Sequence, residues 1–261
     1  MMTIIIKNRL LRTATAGVLL ALAQGCATGP NANPADPLEP FNRSVFKFND
    51  GLDRAIVKPL ATAYRDVTPS PVRTGVKNFF GNLNDVWSLV NNVLQLKPQE
   101  SVETLLRVSF NTIFGFAGVL DIATEMRLQK HTEDFGQTLG YWGVGTGAYV
   151  VLPVLGPSTV RDTLARVVDV KADLVSQTDK VPVRNSLTTL RAVDLRSSLL
   201  GAGTLLEQAA LDPYSFTRDV YLQRRRGSVG RDEATIEERY DLPETESAPR
   251  MSAVTPSPMV K

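Results

Sequence analysis

From Phe135 to Val160 the sequence reads FGQTLGYWGVGTGAYVVLPVLGPSTV and carries no charged side chain. The stretch is long enough to cross a bilayer. Gly136, Gly140, Gly143, Gly145, Gly147, Pro153, Gly156 and Pro157 nevertheless break any regular helix through it. In hydrocarbon every backbone polar group must find its partner inside the protein, so irregular chain cannot face lipid. The rest of the chain therefore has to wrap this segment, either as a buried glycine-rich core loop or as the wall of a cavity or pore.

The flanks supply helices for the wrapping. Phe41, Val45, Phe48, Leu52 and Ile56 recur at spacings of three and four, which predicts an amphipathic helix ended by Pro59. Val72, Val76, Phe79, Phe80 and Leu83 repeat the pattern. Asp85 is then placed to cap a third helix, whose apolar positions from Val86 to Leu96 cover most of its circumference before Pro98. A fourth segment runs from about Ser101 to Phe114. Thr159 and Asp162 have the spacing of a capping box ahead of Leu164, Val167 and Val168. Helical patterning returns over 186–211. A short helix in DPYSFTRDVYLQRRR closes the body, with Arg224, Arg225 and Arg226 as its solvated end or as a contact for lipid phosphates. Period-two strands are scarce, so the predicted class is all-α.

The N-terminus has the order of an export signal: Lys7, Arg9 and Arg12, an uncharged and largely apolar run from Thr13 to Ala23, then small residues. That run is too short for a stable span, which needs ~20 apolar residues. Leu22-Ala23-Gln24-Gly25-Cys26 resembles the lipobox of bacterial lipoproteins, in which the cysteine is acylated and becomes the first mature residue. The plainer alternative is ordinary cleavage beside a bystander cysteine. The expected organisation is a signal peptide over 1–25, a flexible tether over 26–40, a helical body over 41–226 and a disordered polar tail over 227–261.

Composition excludes several chemistries. Removing residues 1–25 takes away three bases and no acid, leaving 26 Lys and Arg against 27 Asp and Glu. No basic nucleic-acid surface is indicated. Cys26 and His131 are the only residues of their kinds, so neither an intrachain disulfide nor a zinc site built from cysteines and histidines is available. Gly143-Val144-Gly145-Thr146-Gly147 lacks the Lys-Ser/Thr of a phosphate-binding loop. A serine triad would have to use His131, and no G-x-S-x-G elbow exists. No cofactor, metal or catalytic residue is expected, and the chain reads as a non-enzyme.

Five stretches, in order over about residues 36–226, resemble the MlaA (VacJ) family of outer-membrane lipoproteins. They are DPLEPFNRSVFKFNDGLDRAIVKPLATAYRDVTPSPVRTGVKNFFGNL, NNVLQLKP, FNTIFGFAGVLDIA, EDFGQTLGYWGVGTGAYVVLPVLGPSTVRD and DPYSFTRDVYLQRR. The resemblance implies a ring-shaped bundle of amphipathic helices around a central channel, embedded in one leaflet of the outer membrane, on its periplasmic side. It implies lipid anchoring through Cys26 and retrograde transport of misplaced phospholipid from the outer leaflet. The implied partners are a trimeric porin and a soluble periplasmic lipid carrier of the Mla system. A structural lipoprotein without a transport channel is the alternative.

The physics of lipid transfer fits that expectation. Exposing the ~30 methylenes of two acyl chains costs over ~20 kcal/mol, so transport without ATP needs a shielded path. The stretch from Phe116 to Leu139 has apolar ends and a polar middle, EMRLQKHTED, as in a helical hairpin whose tip meets head groups or solvent. Gly115, Gly118, Gly136 and Gly140 at its bases are candidate hinges. Phe135, Leu139, Tyr141 and Tyr149 are candidates for the apolar channel wall. A rigid surface loop is the alternative reading.

Overall fold

The first amphipathic pattern forms helix α1, Glu39–Leu52. Pro59 does not end it. The backbone widens into a π-helical turn over Asp53–Val57, in which the Lys58 amide donates to the Asp53 carbonyl, and continues as α2, Lys58–Val67. A proline clashes with the carbonyl four residues earlier and removes one donor. The wider turn ahead of Pro59 gives the ring room, so periodicity survives the breaker.

The structure, a computed structural model, describes residues 33 and 35–229, without the side chains of 205–209. The signal peptide, Cys26 and most of the tether and tail lie outside the described residues. The second and third predicted helices are a single helix, α3, Ser70–Leu94, with Pro71 in its first turn. Asp85 therefore caps nothing. It sits buried in mid-helix, where Lys130 and Arg107 approach it. α4 spans Pro98–Ile113 and packs along α3.

The predicted helical hairpin is not one. After a turn with positive φ at Phe116, Ala117 and Gly118 comes only the short helix α5, Ile122–Glu125. An irregular strand of chain then leads to α6, Phe135–Tyr141, whose capping box joins Asp134 and Gln137 reciprocally. The uncharged stretch also holds a strand pair that the pattern did not predict, β1 (Tyr149–Leu152) antiparallel to β2 (Gly156–Thr159). Thr159 caps α7, Val160–Ala172, by accepting from the Asp162 amide. α8 (Val181–Ser198), α9 (Leu200–Ala209) and α10 (Pro213–Ser228) complete the described chain. The protein is predominantly helical.

Two asparagines of α1 secure the hairpin. Asn42 donates to the Tyr149 carbonyl at 3.0 Å and accepts from the Val151 amide at 2.8 Å. Asn49 donates to the Leu152 carbonyl and accepts from the Val154 amide. The two are seven residues apart, two turns on one helix face, and occupy the strand edge where a third strand would pair. Tyr149, Val151 and Tyr214 form the apolar cluster beneath, flanked by Val45, Phe46, Tyr221 and Leu222.

Candidate functional site

The polarity of the two long helices α3 and α4 is inverted. On α3, Asn82, Asp85, Ser88, Asn91 and Asn92 are buried, whereas Val72, Val90, Val93 and Leu94 are exposed. On α4, Thr104, Arg107 and Asn111 are buried, whereas Val102, Leu105, Leu106 and Ile113 are exposed. Asn91 and Asn92 have no accessible surface at all, while Ile113 is 71% exposed. Isolated apolar side chains on a surface need no explanation. A continuous apolar exterior over a polar interior does, because it marks a surface whose solvent is not water. No described helix is long and apolar enough to cross a membrane.

The interior polar groups form a connected seam. Thr138 donates to Asn91 at 2.7 Å and accepts from Gln95, which also donates to Glu133. Asn92 meets Thr104, and Asn82 meets Thr112, joining α3 to α4. Arg107, only 2% exposed, donates to the Leu128 carbonyl and to Asp121, and Asn111 donates to the same Asp121. The Asn82 and Asn92 amide oxygens and the Arg107 Nε are nevertheless buried without a hydrogen-bond partner.

The charged middle of the segment after α5 turns inward to this seam. Lys130 pairs with Asp85 at 3.0 Å, Glu133 with Lys97 at 2.9 Å and His131 with Glu103 at 2.7 Å. Burial pushes the Asp85 carboxyl above its ordinary range, against the opposing pull of Lys130 and then Arg107. These contacts divide the predicted tip: Lys130, His131 and Glu133 fasten the segment, whereas Glu125 and Arg127 are exposed.

A family model for the MlaA lipoprotein matches residues 34–228. The chain belongs to the MlaA lipoprotein family. It is 38% identical over 220 residues to the intermembrane phospholipid transport system lipoprotein MlaA of Escherichia coli (strain K12), covering 82% of this chain and 87% of that one. The protein of the same name from Haemophilus influenzae is 32% identical over 244 residues, covering 89% and 96%. A solved structure described as "Structural basis for maintenance of bacterial outer membrane lipid asymmetry" is 35% identical, with a TM-score of 0.66, over 74% of this chain and 98% of that chain.

Within this MlaA-family fold the candidate wall residues divide. Phe135 and Leu139 are half-buried, and Tyr141 is exposed beside Trp142. Tyr149 has no accessible surface: it packs against Tyr214 and Tyr221 under the hairpin, so it offers nothing to a channel. Burial and then the nearby Asp36 charge push its hydroxyl pKa to about 12.

The four candidate hinge glycines all lie at close approaches. A Cβ on Gly115 would collide with the Leu120 carbonyl, and one on Gly118, at φ +92°, with the Asn82 side chain. Gly136 and Gly140 lie inside or at the first turn of α6, where a Cβ would come 2.6 Å from the Asp162 carboxylate or the Arg161 guanidinium. Residue patterning missed the inverted stripe of Asn82, Asp85, Ser88 and Asn92, although its spacing of three and four was present in the sequence. It also missed Arg225. That residue is no solvated helix end, because it bridges Asp134 and Asp162, while Arg224 and Arg226 are exposed.

Proposed function

We propose that this protein is the outer-membrane lipoprotein of an intermembrane phospholipid transport system, working to maintain outer-membrane lipid asymmetry by retrograde removal of misplaced phospholipid. The inverted polarity of α3 and α4 carries the reading. Apolar faces would sit among acyl chains of one leaflet, and the buried polar seam would hold α3 and α4 together there. Acylated Cys26 and the tether over 26–40 would hold the body at the periplasmic side of the membrane. A lipid carrier of the same system and a trimeric porin are the partners that the family implies. The chain serves as a conduit and not as an enzyme.

Phe135, Leu139 and Tyr141 would form part of the apolar path, and motion of the segment over 116–139 would admit lipid. The decisive experiment measures surface-exposed phospholipid in cells lacking the protein. Accumulation, reversed by the parent gene, is the expected result. Unchanged lipid asymmetry would overturn the transport reading and favour a purely structural lipoprotein.

A further inference from the structure

A separate cavity of about 140 Å³ opens between the first turns of α3 and the end of α8, away from the polar seam. Arg73 and Lys77 line it from one side together with Ser70 and Thr74, and Asp194 and Ser197 line it from the other. Its volume is several times the ~10–15 Å³ that a cavity needs, on the same measure, to hold one water molecule.

Among the described residues neither Arg73 nor Lys77 has an ion-pair or side-chain hydrogen-bond partner, and the Nε of Arg73 is buried without one. Arg107 Nε and Arg161 Nη2 are buried without a hydrogen bond too, but those guanidinium groups reach carboxylates through their other nitrogens. Lys97, Arg107, Arg218 and Arg225, by contrast, each lie against a carboxylate. A buried guanidinium nitrogen without an acceptor carries a desolvation cost that a bound anion would offset. The opposite wall is not passive either. Asp194 is 7% exposed and is held in place by the Tyr64 hydroxyl, which donates to its Oδ1 at 3.0 Å. Burial, and then that bond, raise the Tyr64 pKa to about 12, so the hydroxyl stays a donor throughout the physiological range.

Two positive groups and one carboxylate across a small polar cavity match a zwitterion whose anionic end is a singly charged phosphodiester. The chain neighbours of the lining residues are apolar and exposed: Val67 (82%) and Val72 before Arg73, Leu195 and Leu199 around Ser197. Acyl chains would therefore have apolar cover beside a polar socket.

We propose that this cavity binds the head group of a glycerophospholipid, with Arg73 and Lys77 on the phosphodiester and Asp194 facing a primary amine. The assignment rests on the transport reading for its ligand class and adds a second, peripheral lipid site to it. Its role is to hold a phospholipid at the first turns of α3, toward the opposite end of that helix from Asn91 and Asn92.

The test uses the full-length lipoprotein in detergent with a photoactivatable phosphatidylethanolamine, mapping the labelled residues by mass spectrometry. Labelling is expected around the start of α3 and the end of α8. It should fall about tenfold in Arg73→Gln/Lys77→Gln, the effect of losing charge-assisted hydrogen bonds. The melting temperature should stay that of the parent, because neither side chain has a partner to lose. A diacylglycerol probe with the same chains should not label the site, and Asp194→Asn should weaken labelling by the ethanolamine lipid more than by phosphatidylglycerol. Competition by millimolar inorganic phosphate would make this a free-anion site and overturn the lipid assignment. Equal labelling by diacylglycerol, or undiminished labelling of the double variant, would overturn it too. Absence of labelling at this site in the parent protein, with labelling elsewhere on it, rejects the peripheral site alone; no labelling anywhere rejects the transport reading as well.

Discussion

Arg225, in the last turn of α10, forks onto the Asp162 carboxylate near the start of α7, with Nη2 2.8 Å from Oδ1 and Nε 2.9 Å from Oδ2. The same guanidinium reaches Asp134, the cap of α6, at 2.5 Å. One side chain thus fastens the end of the described chain to both helices that border the uncharged stretch. Tyr221, one turn earlier, donates to Asp162 as well.

Arg225→Met should cost about 3 kcal/mol near neutral pH, because it leaves a buried carboxylate with a reduced set of partners. The pH dependence has a definite sign. Burial acts to raise the Asp162 pKa, yet the bonds and charge of Arg225 hold it below the ordinary value. Its stabilisation is therefore complete above the unfolded carboxylate pKa of ~3.9 and is lost as pH falls through the lower folded value. Parent and variant stabilities should converge in acid. A stability gap that persists unchanged in acid would show that Arg225 acts by packing alone.

Asn42→Ala tests the helix-bound strand edge. The fully buried amide donates to Asp36 at 2.8 Å and to the Tyr149 carbonyl, and accepts from the Val151 amide. Each group left without a partner costs ~1–3 kcal/mol, so a loss of about 3 kcal/mol or more is expected. Hydrogen exchange at Val151 should accelerate with it. Slow exchange there in the variant would mean that another group takes over the edge.

The helical class and the order of the helices were legible in the sequence because apolar residues at Phe41, Val45, Phe48 and Leu52 keep a strict helical period. Boundaries were less legible wherever tertiary context overrode a local signal. Pro59 looks like a stop, yet a π-helical turn absorbs it. Asp85 looks like a cap, yet Lys130, forty-five residues away, and Arg107 supply charges that let it lie in mid-helix. The polar stripe of α3 was missed for a different reason. Periodicity identifies two faces but not which one meets the interior, and a membrane exterior reverses the usual answer. Arg225 carried no local signal, since its partners stand 63 and 91 residues away.

Ile113→Lys examines the reversed face directly. A lysine directed at hydrocarbon costs ~2.5–3.5 kcal/mol at membrane depth, but very little in water or at a detergent surface. The variant should fold normally in detergent and show weakened association with membranes when expressed without its acylated cysteine. Unaltered partitioning would place α4 in contact with water.

Cys26→Ser removes the only thiol in the chain. Incorporation of a fatty-acid probe should vanish, and the precursor should remain uncleaved or mislocalised. One acyl chain alone binds a membrane marginally, so a stable anchor requires more than one. Equal labelling of variant and parent would sink the lipoprotein assignment.

The last prediction concerns motion of the segment over 116–139. Ion pairs to Asp85 and Lys97 and a hydrogen bond between His131 and Glu103 hold its charged middle against α3 and α4, so displacement must break or stretch them. At its base, a Cβ placed on Gly75 of α3 would lie 3.0 Å from Cγ1 of Val119. That separation brings Gly75→Cys and Val119→Cys within reach of a disulfide, for which the two Cβ atoms need ~3.5–4.5 Å. Acylation of Cys26, as proposed, would leave no third free thiol to compete. If the segment must move to admit lipid, the oxidised double variant should accumulate surface-exposed phospholipid, and mild reduction should restore clearance. The reduced form serves as its own control for the cost of the substitutions. An oxidised protein that clears outer-leaflet phospholipid as fast as its reduced form would falsify gating at this base and leave the segment as a fixed part of the wall.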